Sequence, residues 1–161
     1  MTPQPIDDLP AAGDSDLSGR RILVTGAGNG LGRAIARSAG ARGATVVLLE
    51  RSVTAAEAVY DEIVATGAPE PAIYPMDLSG ALPDDYAELA ERLEASLGGL
   101  EALVLNAAEL GQPAPLAQYD ANAWLRTLHV NATAPFLLLA RCAPLLQAAN
   151  QGRVVFISDA A

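Results

Sequence analysis

From residue 20 to residue 157, short apolar runs alternate with stretches in which apolar residues recur every three or four positions. That alternation is the signature of βαβ units wound into a parallel sheet. Ile22 to Thr25 predicts a short buried strand, after which Leu31, Ile35 and Ala39 repeat at helical spacing until Gly43 closes the helix. Thr45 to Leu49 predicts the second strand, Thr54 to Ala65 a helix ending at Gly67, and Ala72 to Met76 the third strand. Pro83 to Leu97 predicts a helix with proline in its first turn and Gly98-Gly99 behind it. Leu103 to Leu105 centres a fourth strand, and Arg153 to Ile157 forms a fifth. The stretch from Asp120 to Ala149 is mostly helical, with a kink or local break expected near Pro135 and near Pro144. Right-handed crossovers give an α/β fold, a doubly wound parallel sheet of five strands in the order 3-2-1-4-5. The ligand crevice is expected where strands 1 and 4 diverge at their carboxyl ends.

Composition narrows the function. A chain of 161 residues, 51% hydrophobic, is long enough for one domain with a real core. Its 19 acidic against 10 basic residues leave a net charge of −9, which argues against nucleic acid or an anionic membrane surface as the main partner. All the basic residues are arginines, so chemistry requiring a lysine ammonium is excluded within the chain. The single cysteine, Cys142, lies in an apolar helical stretch and reads as a packed core thiol. Residues 1–19, with Pro3, Pro5, Pro10 and scattered aspartates, read as a flexible leader before a domain at 20–161, not as a secretion signal. The best apolar run, near Phe136 to Leu146, is short and broken by Arg141 and Pro144, so a cytoplasmic protein is expected. No metal site is expected.

The candidate chemistry begins where the first strand ends, at Thr25-Gly26-Ala27-Gly28-Asn29-Gly30-Leu31-Gly32. Here backbone N–H groups must approach a pyrophosphate at the N-terminus of a helix, and side chains would block that approach. A Gly-x-Gly-x-x-Gly pattern fails at its last place, where Leu31 stands; the spacing that fits is Gly26-x-x-x-Gly30-x-Gly32 after a threonine. The bland alternative is an ordinary glycine-rich turn.

That spacing resembles the classical short-chain dehydrogenase/reductase family, and the resemblance runs from Arg20 to Asp159. It implies a Rossmann-type domain holding NAD(P), with Thr25, Gly26, Asn29, Gly30, Leu31 and Gly32 at the cofactor. Glu50, at the end of the second strand, sits where a carboxylate accepts hydrogen bonds from the adenosine ribose, which favours NAD. The adjacent Arg51 can pair with a 2′-phosphate and keeps NADP open. As a plain alternative, the two residues form a solvated pair. Asp77-Leu78 matches the family's adenine-contacting pair, with helix capping the competing role for Asp77. Asn106-Ala107-Ala108 resembles the family's Asn-Ala-Gly element lining the crevice, and its departure at Ala108 predicts a slightly different backbone geometry there. Asn131 matches the asparagine that interrupts the long helix and orders a water in the proton relay; alternatively, it only satisfies backbone groups at a kink before Pro135. The neighbouring His129 has no role in the family pattern and reads as a helix residue.

The family also uses a serine after the fifth strand and a downstream Tyr-x-x-x-Lys. Alignment puts Asp159 at the serine place, and a one-residue slip restores Ser158. A carboxylate there would be a poor hydrogen-bond donor. None of Tyr60, Tyr74, Tyr86 and Tyr119 is followed by a lysine, so the fold is expected to be truncated after the fifth strand and the chain inactive as it stands. The resemblance therefore implies oxidoreductase chemistry on a small alcohol or carbonyl substrate, with a homo-oligomer possible through the helix around Asn131. The alternative is a non-catalytic dinucleotide-binding or regulatory module.

Overall fold

The computed structural model describes residues 16–158, so most of the expected leader, and Asp159, lie outside the described residues. The elements run β1 (Arg21–Thr25), α1 (Gly30–Ala41), β2 (Thr45–Glu50), α2 (Val53–Val64), β3 (Ala72–Pro75) and α3 (Pro83–Leu97). Then follow β4 (Ala102–Leu105), α4 (Ala121–Leu128), a π-helical turn (His129–Thr133), α5 (Ala134–Ala148) and β5 (Arg153–Phe156). All four strand pairings are parallel and the order is β3-β2-β1-β4-β5, as the apolar pattern predicts.

Alternation along the central strands splits the core into two faces. Ile22, Val24, Val46 and Leu48 pack with Ala36 and Ala39 of α1 and Val59 and Ile63 of α2. Leu23, Val47, Leu49 and Leu103 pack on the other face with Tyr86, Leu89 and Leu93 of α3 and Leu138 and Cys142 of α5. Burial pushes the Cys142 thiol up to about 11, consistent with a packing role.

Local chemistry sets the helix ends. Ser52 Oγ caps α2 by accepting from the Ala55 amide at 3.3 Å. Asp85 accepts from the Leu82 amide at 2.7 Å, Pro83 opens α3, and Gly98 closes it at φ 75°. The two helix-interior prolines behave differently from the expectation of a break at each. Pro135 cannot donate to the carbonyl of Asn131, and the helix widens into the π turn just before it. Pro144 lies inside an unbroken α5. Both Pro144 and Ala140, whose carbonyl it leaves without its usual donor, are exposed. β5 is the sheet's outer strand, and Arg153 to Phe156 are all exposed.

At the opposite end of the sheet from the carboxyl termini, Arg21 ties β1 to the start of β4. Its Nε donates to Glu101 Oε2 at 2.8 Å, its backbone amide donates to the same oxygen at 2.7 Å, and Nη1 donates to the Leu97 carbonyl at 2.7 Å. The side-chain bonds from Arg21 hold the Glu101 carboxyl below its usual value. A depressed folded-state value means the stabilisation is complete above the unfolded carboxyl range and is lost as pH falls through the lower folded value. Glu101→Gln is expected to cost about 2 kcal/mol at pH 7 and to flatten the loss of stability as pH falls through and below the usual carboxylate range. Denaturant melts of both proteins across that range check this, and parallel pH profiles would refute it. No described helix is long and apolar enough to cross a membrane.

Candidate functional site

A crevice of about 840 Å³ opens at the carboxyl ends of the strands, between the turns after β1 and β4, where the strand order reverses. Its size lies in the range of small-molecule and cofactor sites. Gly26, Asn29, Gly30 and Leu31 form its floor; Glu50, Arg51, Asp77 and Leu78 border one side, and Asn106 to Leu110 the other.

The glycines of the first turn do different jobs. A Cβ on Gly26 would lie 3.1 Å from the Ala107 Cα, one on Gly28 2.8 Å from the Ala55 Cβ, and one on Gly32 2.1 Å from the Gly26 carbonyl oxygen. These three let protein backbone pack on protein. Gly30 has φ +51° and nothing within 4 Å of its Cβ position, so it faces open crevice. It begins α1, whose N-cap Asn29 makes no side-chain cap and whose first turn carries no acidic residue. The first-turn amide donors of α1 therefore face the crevice without a side-chain cap, an arrangement suited to a phosphate.

Thr25, expected among the cofactor contacts, is 1% exposed and does not border the crevice. Its Oγ1 accepts from the amides of Asn106 and Ala107, each at 2.9 Å, and so stitches β1 to the chain leaving β4. Asn106 returns the tie by donating Nδ2 to the Thr25 carbonyl at 3.0 Å and the Gly26 carbonyl at 3.3 Å. Gly32 likewise supports the turn from inside. Ala108 does not take a left-handed conformation: the one non-glycine residue with positive φ among the described residues is Gln151.

Glu50 is 9% exposed, and its carboxylate is turned onto the protein. Oε2 accepts from the Gly28 amide at 3.0 Å, and Oε1 accepts from the Arg51 and Ser52 amides at 3.0 and 3.2 Å. Gly28 therefore joins the site as a residue that the family spacing passes over. Its only signal in the sequence is that it is a fourth glycine beside the three of that spacing. Arg51 is exposed on the rim, and its guanidinium makes no hydrogen bond or ion pair among the described residues. Asp77 accepts from the Ser79 amide at 2.9 Å, which lowers its pKa, with Arg51 a smaller contributor of the same sign. Asp77 therefore closes a turn and does not cap a helix as expected: α3 begins at Pro83, with Leu82 as its N-cap. Leu78 is buried at 7% exposure and still borders the crevice.

Asn131 stands in the π turn, where its Oδ1 accepts from the Glu109 amide at 2.8 Å and its Nδ2 donates to the Glu109 carbonyl at 2.9 Å. Its neighbour His129 places Nε2 3.2 Å from the Ala81 carbonyl, a helix-to-loop tie away from the crevice lining. Ser158 is exposed beyond β5 and is not brought to the crevice wall. Among the described residues no cluster of histidine, cysteine and carboxylates could hold a metal ion.

Known proteins resemble this chain in sequence and fold. The sequence model for short chain dehydrogenases matches residues 20–161. The uncharacterized oxidoreductase YciK of Escherichia coli (strain K12) is 32% identical over 156 residues, covering 97% of this chain and 59% of YciK. A short chain dehydrogenase from Shigella flexneri superposes with a TM-score of 0.86 at 32% identity, over 91% of this chain and 58% of that one. A metagenomic short-chain oxidoreductase solved in complex with NADP superposes with a TM-score of 0.85 at 41% identity, over 91% and 65%. The chain thus spans roughly three fifths of the length of these relatives. With the strand order, the glycine turn and the sequence match in agreement, the chain belongs to the short-chain dehydrogenase family.

Proposed function

We propose that the chain supplies the dinucleotide-binding part of an oxidoreductase that moves a hydride between NADP(H) and a small alcohol or carbonyl compound. The observation that carries this reading is the uncapped N-terminus of α1 opening onto the crevice at Gly30. When bound, the dinucleotide supplies the hydride-carrying carbon. The chain's own part is to hold and orient it: the amides of Gly30 to Gly32 on the phosphates, Asp77 and Leu78 toward the adenosine side, Asn106 to Ala108 along the other half. Asn131 holds the loop after β4 in place, and Ser158, a neutral hydroxyl, is the better candidate than Asp159 to donate a hydrogen bond to a substrate oxygen.

Glu50 and Arg51 support NADP over the NAD expected from a free carboxylate. Three backbone amides already occupy the Glu50 carboxylate, whereas the Arg51 guanidinium on the same rim has no partner among the described residues and offers bidentate pairing to a 2′-phosphate. The complex of a 41%-identical relative with NADP agrees. Arg51→Ala is expected to weaken NADPH binding about ten- to hundredfold and NADH little. Glu50→Ala should weaken both cofactors together, because it orphans amides in the turn that holds either one; a free carboxylate would instead make that loss selective for NADH. Calorimetric titration of both variants with both cofactors decides. Tighter NADH than NADPH in the unaltered protein would return the preference to NAD, and no binding of either would overturn the reading of the glycine turn.

A further inference from the structure

The loop from β4 to α4 borders the half of the crevice away from Glu50 and Asp77, yet it contains only one 3₁₀ turn, at Leu116–Gln118. With Gly111, Pro113 and Pro115 in it, the loop has little regular backbone bonding to fix its course. Two side chains fix it instead, one from the π turn and one from the loop's own far end. Asn131 takes both backbone groups of Glu109, and three residues further along the Tyr119 hydroxyl accepts from the Gln112 amide at 3.0 Å. Between these ties lies Gly111, at φ +71°, so close under Tyr119 that a Cβ there would be 2.2 Å from the phenolic oxygen and 2.9 Å from Thr127 Oγ1. Tyr119 is itself backed by Trp124, edge to face at 6.2 Å between ring centroids. The residue held at the apex is Leu110, fully exposed and on the crevice border.

A fully exposed leucine alone would mean nothing. A leucine held between two ties, at the mouth of a crevice, on a loop otherwise free to move, is a wall. We infer that Tyr119 is a positioning residue: through the Gln112 amide and the close fit at Gly111 it holds Leu110 and Glu109 as the surface against which the nicotinamide ring lies. The inference rests on the dinucleotide reading above. With the phosphates at Gly30 and the adenosine toward Asp77, the ring is left the side of β4. An apolar wall there desolvates one ring face and pre-orders it, which lowers the cost of immobilising the ligand.

The test uses the full chain and two ligands, NADP⁺ and 2′-phospho-ADP-ribose, which differ only in the nicotinamide ring. Tyr119→Phe keeps the ring packed on Trp124 and removes the tie. It is expected to lower NADP⁺ affinity about three- to tenfold, the worth of one neutral hydrogen bond, and to leave 2′-phospho-ADP-ribose unchanged. Gly111→Ala, which displaces the tie from the other side, should give the same split, with thermal melts confirming that both variants fold. A parallel loss for both ligands means a general structural role and overturns the inference, as does no change for either. If the unaltered protein binds the two ligands equally, the ring does not touch the wall and the inference fails while the dinucleotide reading stands. If it binds neither these nor NAD⁺ and ADP-ribose, that reading falls and the inference with it.

Discussion

Gly32→Ala is expected to destabilise the protein by about 3 kcal/mol or more, which for a domain of this size lowers the melting temperature by roughly 10 °C. The added methyl would sit 2.1 Å from the Gly26 carbonyl oxygen and 2.6 Å from Asn106 Nδ2. Neither neighbour can move cheaply, since one is backbone in the turn and the other is tied to the Thr25 and Gly26 carbonyls. Helix α1 must therefore back away from the end of β1. Gly30→Ala makes the contrast. Its methyl meets no atom, so the cost is about 1 kcal/mol of left-handed backbone strain. It does project where a phosphate is proposed to sit, so cofactor binding should fall far more than stability. Thermal melts and NADPH titrations of the two variants separate the roles; similar melting losses for both would contradict the packing geometry.

Thr25→Val is expected to cost about 3 kcal/mol. The change is nearly isosteric, so it leaves no cavity, but it removes the one acceptor serving two amides, those of Asn106 and Ala107. Each amide left without a partner costs about 1–3 kcal/mol. Thr25→Ser keeps the oxygen and should recover most of the loss. If valine and serine melt alike in chemical denaturation, the hydroxyl is not what holds the two strand ends together.

Much of this architecture is legible in the amino-acid pattern. Strands buried on both faces read as unbroken apolar runs, so β1, β2 and β4 stand out, and short glycine-ended helices between them leave one handed way to wind the sheet. The glycine turn is legible because its spacing answers to a physical need. What is hidden is where side chains point. Glu50 at the end of β2 reads as a carboxylate free for a ribose; only its torsions turn it onto three amides of its own chain. Thr25 reads as part of the cofactor turn, yet its hydroxyl faces inward. Pro135 and Pro144 look equivalent, but one follows a π turn and the other lies inside an unbroken helix. Ala108 reads as a departure from a glycine, and the backbone there is not left-handed. The tie between Tyr119 and Gln112 has no pattern at all, because it depends on how an irregular loop doubles back.

The Thr25 stitch also bears on how the molecule comes to be folded. It joins residues 81 and 82 positions apart, across the parallel pairing of β1 with β4, and that pairing has no hairpin to bring it together. Closing so long a loop must precede any reward from the contacts it makes, which slows folding. β1, α1 and β2 are adjacent in the chain and can associate first, leaving the glycine turn with one wall. The second wall comes only with β4, so the crevice is complete only once that long-range pairing has formed.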